Sequence, residues 1–111
     1  MAEQLSLIVP VWRAPSNVLA LSTTRVGGES LPPYDSLNLG DHVEDDAAAV
    51  RQNRQRLADS LPDKTDIAWL SQVHGIDVVE AAAPGEPPEA DAQWSREPGM
   101  ACAVLTADCL P

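Results

Sequence analysis

Short apolar runs separated by turn-forming residues dominate the chain, and they predict several strands. Each run has the length and alternation typical of a strand. The predicted strands are Leu5–Trp12, Val18–Thr24, Ile67–Val73, Ile76–Ala81 and Ala101–Thr106. Pro10 cannot donate a ladder hydrogen bond, so the first strand is expected at a sheet edge. His74-Gly75 lies between the third and fourth strands, where it is expected to form a tight hairpin.

One stretch, Asp45–Ser60, carries a helical pattern instead. One face of a 3.6-residue repeat is formed by Ala47, Val50, Leu57 and Leu61. Acidic residues precede this face, where the helix dipole favours negative charge and an Asp can act as N-cap. Pro62 disfavours a helical conformation at the residue before it and ends the helix. Several strands with one intervening helix, in an order that is not regular βαβ, predict an α+β fold.

Composition narrows the function classes. The 111 residues include 7 basic and 17 acidic side chains, giving a net charge of −10. This charge disfavours nucleic acid and anionic membranes as partners, because both attract Lys and Arg. No run approaches the roughly 20 apolar residues of a membrane span, and no basic segment precedes the first apolar run as in a signal peptide. A cytoplasmic protein is therefore expected.

The loop Gly27–Gly40 is long and rich in turn-forming residues, and such loops are often functional. Arg25 with Gly27-Gly28 could hold an anion, because a guanidinium forks onto phosphate and glycine exposes backbone amides. Pairing of Arg25 with one of the many carboxylates is about equally expected. Asn38 could orient a polar ligand, and Asx-type bonds within the loop are the alternative.

His74 and Cys109 are the candidates for catalysis and metal binding. Imidazole and thiolate are soft ligands for zinc or copper, and 35 residues separate them, unlike the spacing of a zinc finger. A Cys–His nucleophile pair, an exposed turn histidine or an inert buried cysteine are the alternatives. Cys102, inside an apolar run, is expected to be buried and inert, and His42 is expected to be a loop or packing residue. Two ligands do not complete a tight metal site, so a third is missing from this chain.

An ordered set of motifs resembles the YfiH family, formerly described as multicopper polyphenol oxidases or laccase-domain proteins. The early motifs are Ser22-Thr23-Thr24-Arg25, Gly27-Gly28 and Pro33–Gly40. His42-Val43, Asp45-Asp46 and Asn53-Arg54 follow. The last are Trp69–Gly75 (WLSQVHG), Ala90-Asp91-Ala92 and Cys102–Pro111 (CAVLTADCLP). The resemblance covers about residues 20–111, and Glu44 departs from the glycine usual in the family.

The resemblance implies a single α+β domain, a mixed β-sheet or sandwich flanked by helices, of about twice this length. Residues 1–111 are then expected to be its N-terminal half. A zinc ion, or alternatively copper, would be bound by His74, Cys109 and a later histidine that this chain lacks. The implied activity is purine nucleoside phosphorolysis, with adenosine deamination as a related activity.

On this resemblance, the substrates are adenosine, inosine or methylthioadenosine together with phosphate. Arg25 is the candidate for holding phosphate and Asn38 for contacting substrate. The alternatives are a copper-dependent polyphenol oxidase, a non-catalytic fragment and a peptidoglycan editing factor.

Overall fold

A computed structural model describes residues 4–107, in which one helix and six short strands form. The strands are β1 (Leu7–Ile8), β2 (Ser22–Thr23), β3 (Asp66–Ala68), β4 (Val78–Glu80), β5 (Ala92–Trp94) and β6 (Met100–Cys102), and the helix is α1 (Ala47–Asp59). This content confirms the predicted α+β class. The chain divides into two compact units, Met1–Leu57 and Ala58–Pro111. Within the described range, no helix is long and apolar enough to cross a bilayer.

In the first unit, β1 and β2 form a short antiparallel ladder. Leu7 lies opposite Thr23 and Ile8 opposite Ser22. The Thr24 hydroxyl extends the pairing by donating to the Ser6 carbonyl at 2.7 Å. Both strands are much shorter than predicted, and the apolar side chains flanking them are exposed, namely Val9, Val11, Trp12, Val18 and Leu19. An apolar run indicates a tendency to be buried, but it does not determine how many of its residues pair with a neighbouring strand.

Helix α1 follows the prediction to within two residues at its start and one at its end. Asp46 is its N-cap, because its carboxylate accepts from the Ala48 backbone N–H at 3.2 Å. Val50 and Leu57 are buried as predicted, whereas Ala47 is exposed. The third buried residue of the helix is Asn53, which separates the two apolar positions. Two loop leucines, Leu37 and Leu39, complete the buried apolar set of this unit.

In the second unit, two parallel ladders replace the predicted hairpin. β3 pairs with β6, so that Ile67 lies opposite Ala101, and β4 pairs with β5, so that Val79 lies opposite Gln93. The hairpin prediction at His74-Gly75 is therefore wrong, because β3 and β4 do not pair with each other. β5 was not predicted, since three residues without an apolar run leave little sequence signal. The buried apolar residues here are Ala68, Leu70 and Ala90.

Gln93, the middle residue of β5, links the β4–β5 ladder to the end of the β3–β6 ladder. Its side-chain amide nitrogen donates to the carbonyl of Ala68 at 2.7 Å and to that of Ala103 at 2.8 Å. One side chain of β5 thus binds two carbonyls at the end of the other pair of strands, and the Ala68 carbonyl also accepts from the Ala103 N–H at 3.1 Å. These bonds hold the segment after β6 beside the end of β3.

Candidate functional site

The turn that carries His74 is held by a single carboxylate. Asp91 accepts three backbone N–H groups: from Val73 at 3.1 Å, from His74 at 2.9 Å and from Gly75 at 2.7 Å. His74 lies in the left-handed region with φ of 59°. Successive N–H groups that converge in this way form a concave anion-binding turn, and here the anion is the chain's own side chain.

These hydrogen bonds favour the ionised form of Asp91. The Gly75 N–H, followed by those of His74 and Val73, lowers the pKa of the Asp91 carboxyl from its usual value against a smaller opposing effect of desolvation. A nearby charge on His74 acts in the same direction. The carboxylate that fixes the turn is therefore charged at neutral pH, which strengthens each hydrogen bond that it accepts.

The His74 side chain itself is exposed. Within residues 4–107 its imidazole takes part in no hydrogen bond, and no group of three or more His, Cys, Asp or Glu is placed to hold a metal ion. Cys109 lies outside the described residues, so the predicted pair of His74 and Cys109 stays a prediction. Imidazole is a ligand type that zinc and copper both accept, and the exposed ring can bind an ion without breaking a hydrogen bond to residues 4–107.

Gln72 joins the His74 turn to the segment that leads toward Cys109. Its side-chain nitrogen donates to the Leu105 carbonyl at 2.9 Å, and its side-chain oxygen accepts from the Leu105 N–H at 2.7 Å. A primary amide paired with both backbone groups of one residue fixes that residue's position and register. The backbone of Leu105, four residues before Cys109, is therefore bonded to the side chain that lies two residues before His74.

Arg25 is exposed and paired with Asp35. Its Nε and Nη2 donate to the Asp35 carbonyl at 3.0 and 2.9 Å, and Nη2 lies 3.5 Å from the Asp35 carboxylate. The side chain is 73% exposed. The alternative considered from the sequence, pairing with a carboxylate, is thus present, and the guanidinium still faces solvent. Its predicted role in holding phosphate stays a prediction.

The backbone amides of Gly27 and Gly28, which were predicted as candidates for binding an anion, form hydrogen bonds within the loop. Both N–H groups donate to the Ser36 hydroxyl, at 3.2 and 3.1 Å, and this hydroxyl donates in turn to the Arg25 carbonyl at 3.0 Å. Gly28 also leaves no room for a side chain, since a Cβ there would lie 2.6 Å from both the Asn53 side-chain oxygen and Leu37 Cα. The glycines serve close packing of the loop.

Asn38 forms Asx-type hydrogen bonds within the loop, which was the predicted alternative to contact with a polar ligand. Its side-chain oxygen accepts from the Gly40 N–H at 3.1 Å, and its side-chain nitrogen donates to the Asp45 carboxylate at 3.0 Å and to the Gly40 carbonyl at 3.2 Å. Both polar ends of the side chain are thus engaged within the loop. The predicted contact with substrate stays a prediction.

Asn53, on α1, organises this loop through hydrogen bonds, a role that the sequence pattern did not predict. It is fully buried, and its side-chain nitrogen donates to Ser30 Oγ at 2.9 Å and to the Asn38 carbonyl at 2.8 Å. Its oxygen accepts from the Glu29 N–H at 2.7 Å. The sequence did hold one indication of this role: Asn53 is a polar residue between Val50 and Leu57 on the apolar face of α1. A polar side chain buried there needs hydrogen-bond partners for its donor and acceptor atoms.

Asp45 completes the hydrogen-bond network around Asn53. The Ser30 hydroxyl donates to its carboxylate at 2.6 Å, and the Asn38 side chain donates to the same oxygen. These two bonds, in that order, lower the pKa of the Asp45 carboxyl, with a smaller contribution from the Asp46 N–H and against an opposing effect of desolvation. The loop and the start of α1 are therefore joined by an ionised group.

An open cavity of about 300 Å³ lies beside the first turns of α1. It is lined by Asp41, Asp45, Ala47, Val50, Arg51 and Arg54. Arg54 donates to the Leu39 carbonyl at 2.8 Å and lies 3.7 Å from Asp41. Burial lowers the pKa of Arg54, and Asp41 opposes that shift. The cavity thus combines both signs of charge, already partly paired, and does not select one class of ligand.

Cys102 is a free, exposed cysteine on β6. Desolvation raises the pKa of its thiol above the usual value, so little thiolate forms at neutral pH. The exposure of Cys102 contradicts the expectation that it is buried, because β6 pairs only with β3 among the described residues and one side of the strand stays open. Because the thiolate is the reactive species, the raised pKa still favours the inert behaviour expected of this thiol.

Proteins named for an enzymatic activity resemble this chain along nearly all of its length. Residues 19–111 match the family described as multi-copper polyphenol oxidoreductase laccase. The chain is 56% identical over 110 residues to the purine nucleoside phosphorylase YfiH of Escherichia coli K12. It is 54% identical over 104 residues to a purine nucleoside phosphorylase of Pseudomonas aeruginosa. These alignments cover 95% and 94% of this chain, and 44% and 42% of the relatives.

A solved structure agrees with this relationship. The crystal structure of a Neisseria meningitidis protein of the DUF152 family superposes with a TM-score of 0.85 at 44% sequence identity, covering 96% of this chain and 43% of the other. The chain thus spans less than half the length of these relatives. With a match over most of its residues to the family profile and more than half of its residues shared with individual relatives, the chain belongs to the multi-copper polyphenol oxidoreductase laccase family.

Proposed function

We propose that the complete protein is a zinc-dependent purine nucleoside phosphorylase acting in the cytoplasm. The single observation that carries the proposal is the extent of identity to relatives named for this activity, 54% and 56% over nearly the whole chain. Residues 1–111 would form the N-terminal half of its single domain. The substrates would be phosphate with adenosine, inosine or methylthioadenosine, and adenosine deamination would be a related activity.

The bond between Gln72 and Leu105 supports His74 and Cys109 as ligands of one metal ion. Leu105 is bonded to Gln72 through both of its backbone groups, and Gln72 precedes His74 by two residues. Cys109 follows Leu105 by four residues, and four residues of fully extended chain reach at most about 14 Å. The covalent chain therefore allows the thiolate to reach the imidazole, with a histidine from elsewhere in the complete protein as third ligand.

In the proposed reaction, a phosphate oxygen attacks the anomeric carbon of the nucleoside. The bond from that carbon to the purine nitrogen breaks, its electron pair leaves with the base, and a proton completes the free purine beside ribose 1-phosphate. A bound zinc ion would supply Lewis acidity. Arg25, with an exposed guanidinium, would hold phosphate through charge-assisted hydrogen bonds. Asn38 would contact substrate only by exchanging one of its bonds to Gly40 or Asp45.

Copper-dependent phenol oxidation is the second candidate function, because the family description names a multi-copper oxidoreductase. Soft His and Cys ligands accept copper as readily as zinc. His74 and Cys109 with one more histidine would nevertheless hold a single ion, not a multicopper cluster. A role in peptidoglycan editing or as a non-catalytic chain would leave both activities absent.

Replacement of His74 in the complete protein tests the proposal. We expect His74→Ala to lose bound zinc and phosphorolysis while the protein stays folded, because an exposed imidazole contributes little to stability. The matched control is His42→Ala, which removes the other histidine, also exposed. The measurements are zinc per chain by elemental analysis and the release of adenine and ribose 1-phosphate from adenosine and phosphate.

Two results would contradict the proposal. Wild-type zinc content in His74→Ala would remove His74 from the ligand set. Phenol oxidation by the copper-loaded protein, with no phosphorolysis by the zinc-loaded protein, would favour the second candidate function.

A further inference from the structure

We propose that Asp91 is the positioning residue that presents His74 to the metal ion, by holding the backbone of the turn at residues 73–75. The inference rests on the proposed role of His74 as a ligand. It concerns a residue that would touch neither metal nor substrate, and it assigns to Asp91 a part of the metal affinity of the site.

The first argument is the backbone conformation of His74. A φ of 59° places it in the left-handed region, which a residue with a Cβ adopts at a cost of roughly 1–2 kcal/mol. Such a conformation persists only where the surroundings determine it. The groups that do so here are the three N–H donors of the turn, all of which point at the Asp91 carboxylate.

The second argument is that Asp91 is itself fixed on both sides. Its N–H donates to the Asp77 carbonyl at 3.1 Å, and the N–H of the preceding Ala90 donates to the Ser71 carbonyl at 3.2 Å. Ala90 is fully buried, and β5 begins immediately after Asp91. The carboxylate is therefore mounted on anchored backbone, so its position is not set by the turn that it holds.

The third argument is what Asp91 leaves free. The carboxylate accepts from the three backbone N–H groups of the turn, with that of Val73 reaching both oxygens, and the imidazole of His74 stays exposed. A ligand fixed through its backbone loses little further entropy when it binds an ion, and this preorganisation contributes to affinity. Outer partners that orient a ligand typically account for a 10- to 100-fold difference in metal affinity.

The experiment compares Asp91→Ala and Asp91→Asn with Asp77→Asn in the complete protein. Asp77 is the control because it carries an exposed carboxylate three residues after His74. The Asp91 N–H donates to the backbone carbonyl of Asp77, so replacing the Asp77 side chain leaves that bond in place. The first measurement is the dissociation constant for Zn²⁺, by competition with a chromophoric chelator. The second, on the metal-free protein, is amide hydrogen exchange at residues 73–75. The third is the visible spectrum of the Co²⁺-substituted protein, which reports ligand geometry.

We expect Zn²⁺ affinity to fall 10- to 100-fold in Asp91→Ala and less in Asp91→Asn, whose side-chain oxygen can still accept. Exchange at residues 73–75 should accelerate in both, and the Co²⁺ spectrum should shift. Asp77→Asn should match the wild type in all three. A purely structural role would lower thermal stability while leaving the Zn²⁺ affinity and Co²⁺ spectrum of the folded fraction unchanged, and that result would overturn the inference.

A parallel measurement on His74→Ala separates the two possible failures. If His74→Ala loses zinc and Asp91→Ala keeps wild-type affinity, the positioning role is wrong and the ligand assignment stands. If His74→Ala keeps zinc, the ligand assignment fails and the positioning role fails with it. Asp91→Asn keeps the test valid where Asp91→Ala does not fold, because it preserves the side-chain volume.

Discussion

The loop before α1 and the turn at His74 both rely on a polar side chain that collects backbone groups, but they do so in opposite ways. In the loop, a fully buried Asn53 bonds to Glu29, Ser30 and Asn38, and the nearby side chains are engaged with one another. In the turn, the Asp91 carboxylate accepts from three backbone N–H groups. The polar side chains of the loop are already hydrogen-bonded within the protein, whereas the imidazole of the turn is free to bind a ligand.

This difference separates two kinds of polar residue that look alike in sequence. Asn38 and His74 both lie among turn-forming residues within motifs of the family. The structure uses the side-chain amide of Asn38 for the loop and leaves the side chain of His74 without a hydrogen-bond partner among residues 4–107. A side chain whose polar atoms are already paired must break those bonds before it can bind a ligand, so His74 is the better placed of the two.

The largest difference in stability between the loop and the turn is expected when a glycine in each is replaced by alanine. Gly28→Ala should destabilise the protein by more than about 4 kcal/mol or prevent folding, because the new Cβ would lie 2.6 Å from Leu37 Cα and from the Asn53 oxygen. Gly75→Ala should cost less than about 1 kcal/mol, since its Cβ would lie 3.4 Å from the Asp91 carboxylate, an ordinary contact. Urea unfolding checks both. Equal effects would show that the loop is no more tightly packed than the turn.

A smaller but still large effect is expected when the buried side chain of Asn53, which binds the loop from α1, is removed. Asn53→Ala should cost about 3 kcal/mol, because it leaves a small void and deprives the Glu29 N–H and the Asn38 carbonyl of their partner. The control on the same helix is Gln52→Ala, at an exposed position, which should change the free energy of unfolding by less than about 0.5 kcal/mol. A change of under 1 kcal/mol in Asn53→Ala would mean that water replaces the lost bonds.

The smallest effect is expected from the charge at Asp45. Its pKa is lowered from the usual 3.8, first by the Ser30 hydroxyl and then by the Asn38 side chain. The carboxylate therefore stabilises the fold above pH 3.8, and the contribution is lost as pH falls through the lower pKa of the folded state, where the unfolded chain binds more protons. The difference in unfolding free energy between wild type and Asp45→Asn should shrink on acidification.

Urea unfolding at a series of acidic pH values measures that dependence, with Ser30→Ala as the companion variant. Removal of the hydroxyl donor should weaken the same pH dependence in part, because its bond is the largest cause of the shift. Identical acid dependence in wild type and Asp45→Asn would contradict the assignment.

Local patterns predicted the helix well and the pairing of strands poorly. Helix α1 follows from a 3.6-residue repeat, an N-cap and a terminating proline, all of which lie within about 20 residues. The pairings of β3 with β6 and of β4 with β5 join segments far apart in sequence, which apolar alternation does not specify. His74-Gly75 resembled a hairpin because turn residues look the same whether the following strand returns beside the first or pairs elsewhere.

The site shows the same division. Single residues with distinctive chemistry, such as His74, were identified from type and neighbours. Asn53 and Asp91 were missed as organising groups, since their importance depends on backbone donors and acceptors 15 to 24 and 16 to 18 residues away, respectively. Nothing in the local sequence states which carbonyls and amides a folded chain will bring to a polar side chain.

The nesting of the two parallel ladders has a consequence for how the second unit folds. β4 and β5 both lie, in sequence, between β3 and β6. Closing a long loop loses more conformational entropy than closing a short one, so early pairing of β4 with β5 shortens the effective loop that β3 and β6 must close. During synthesis, β6 is also the last of the four strands to be made. Assembly from the inner ladder outward is therefore the favoured order, and the strand that precedes Cys109 is expected to join last.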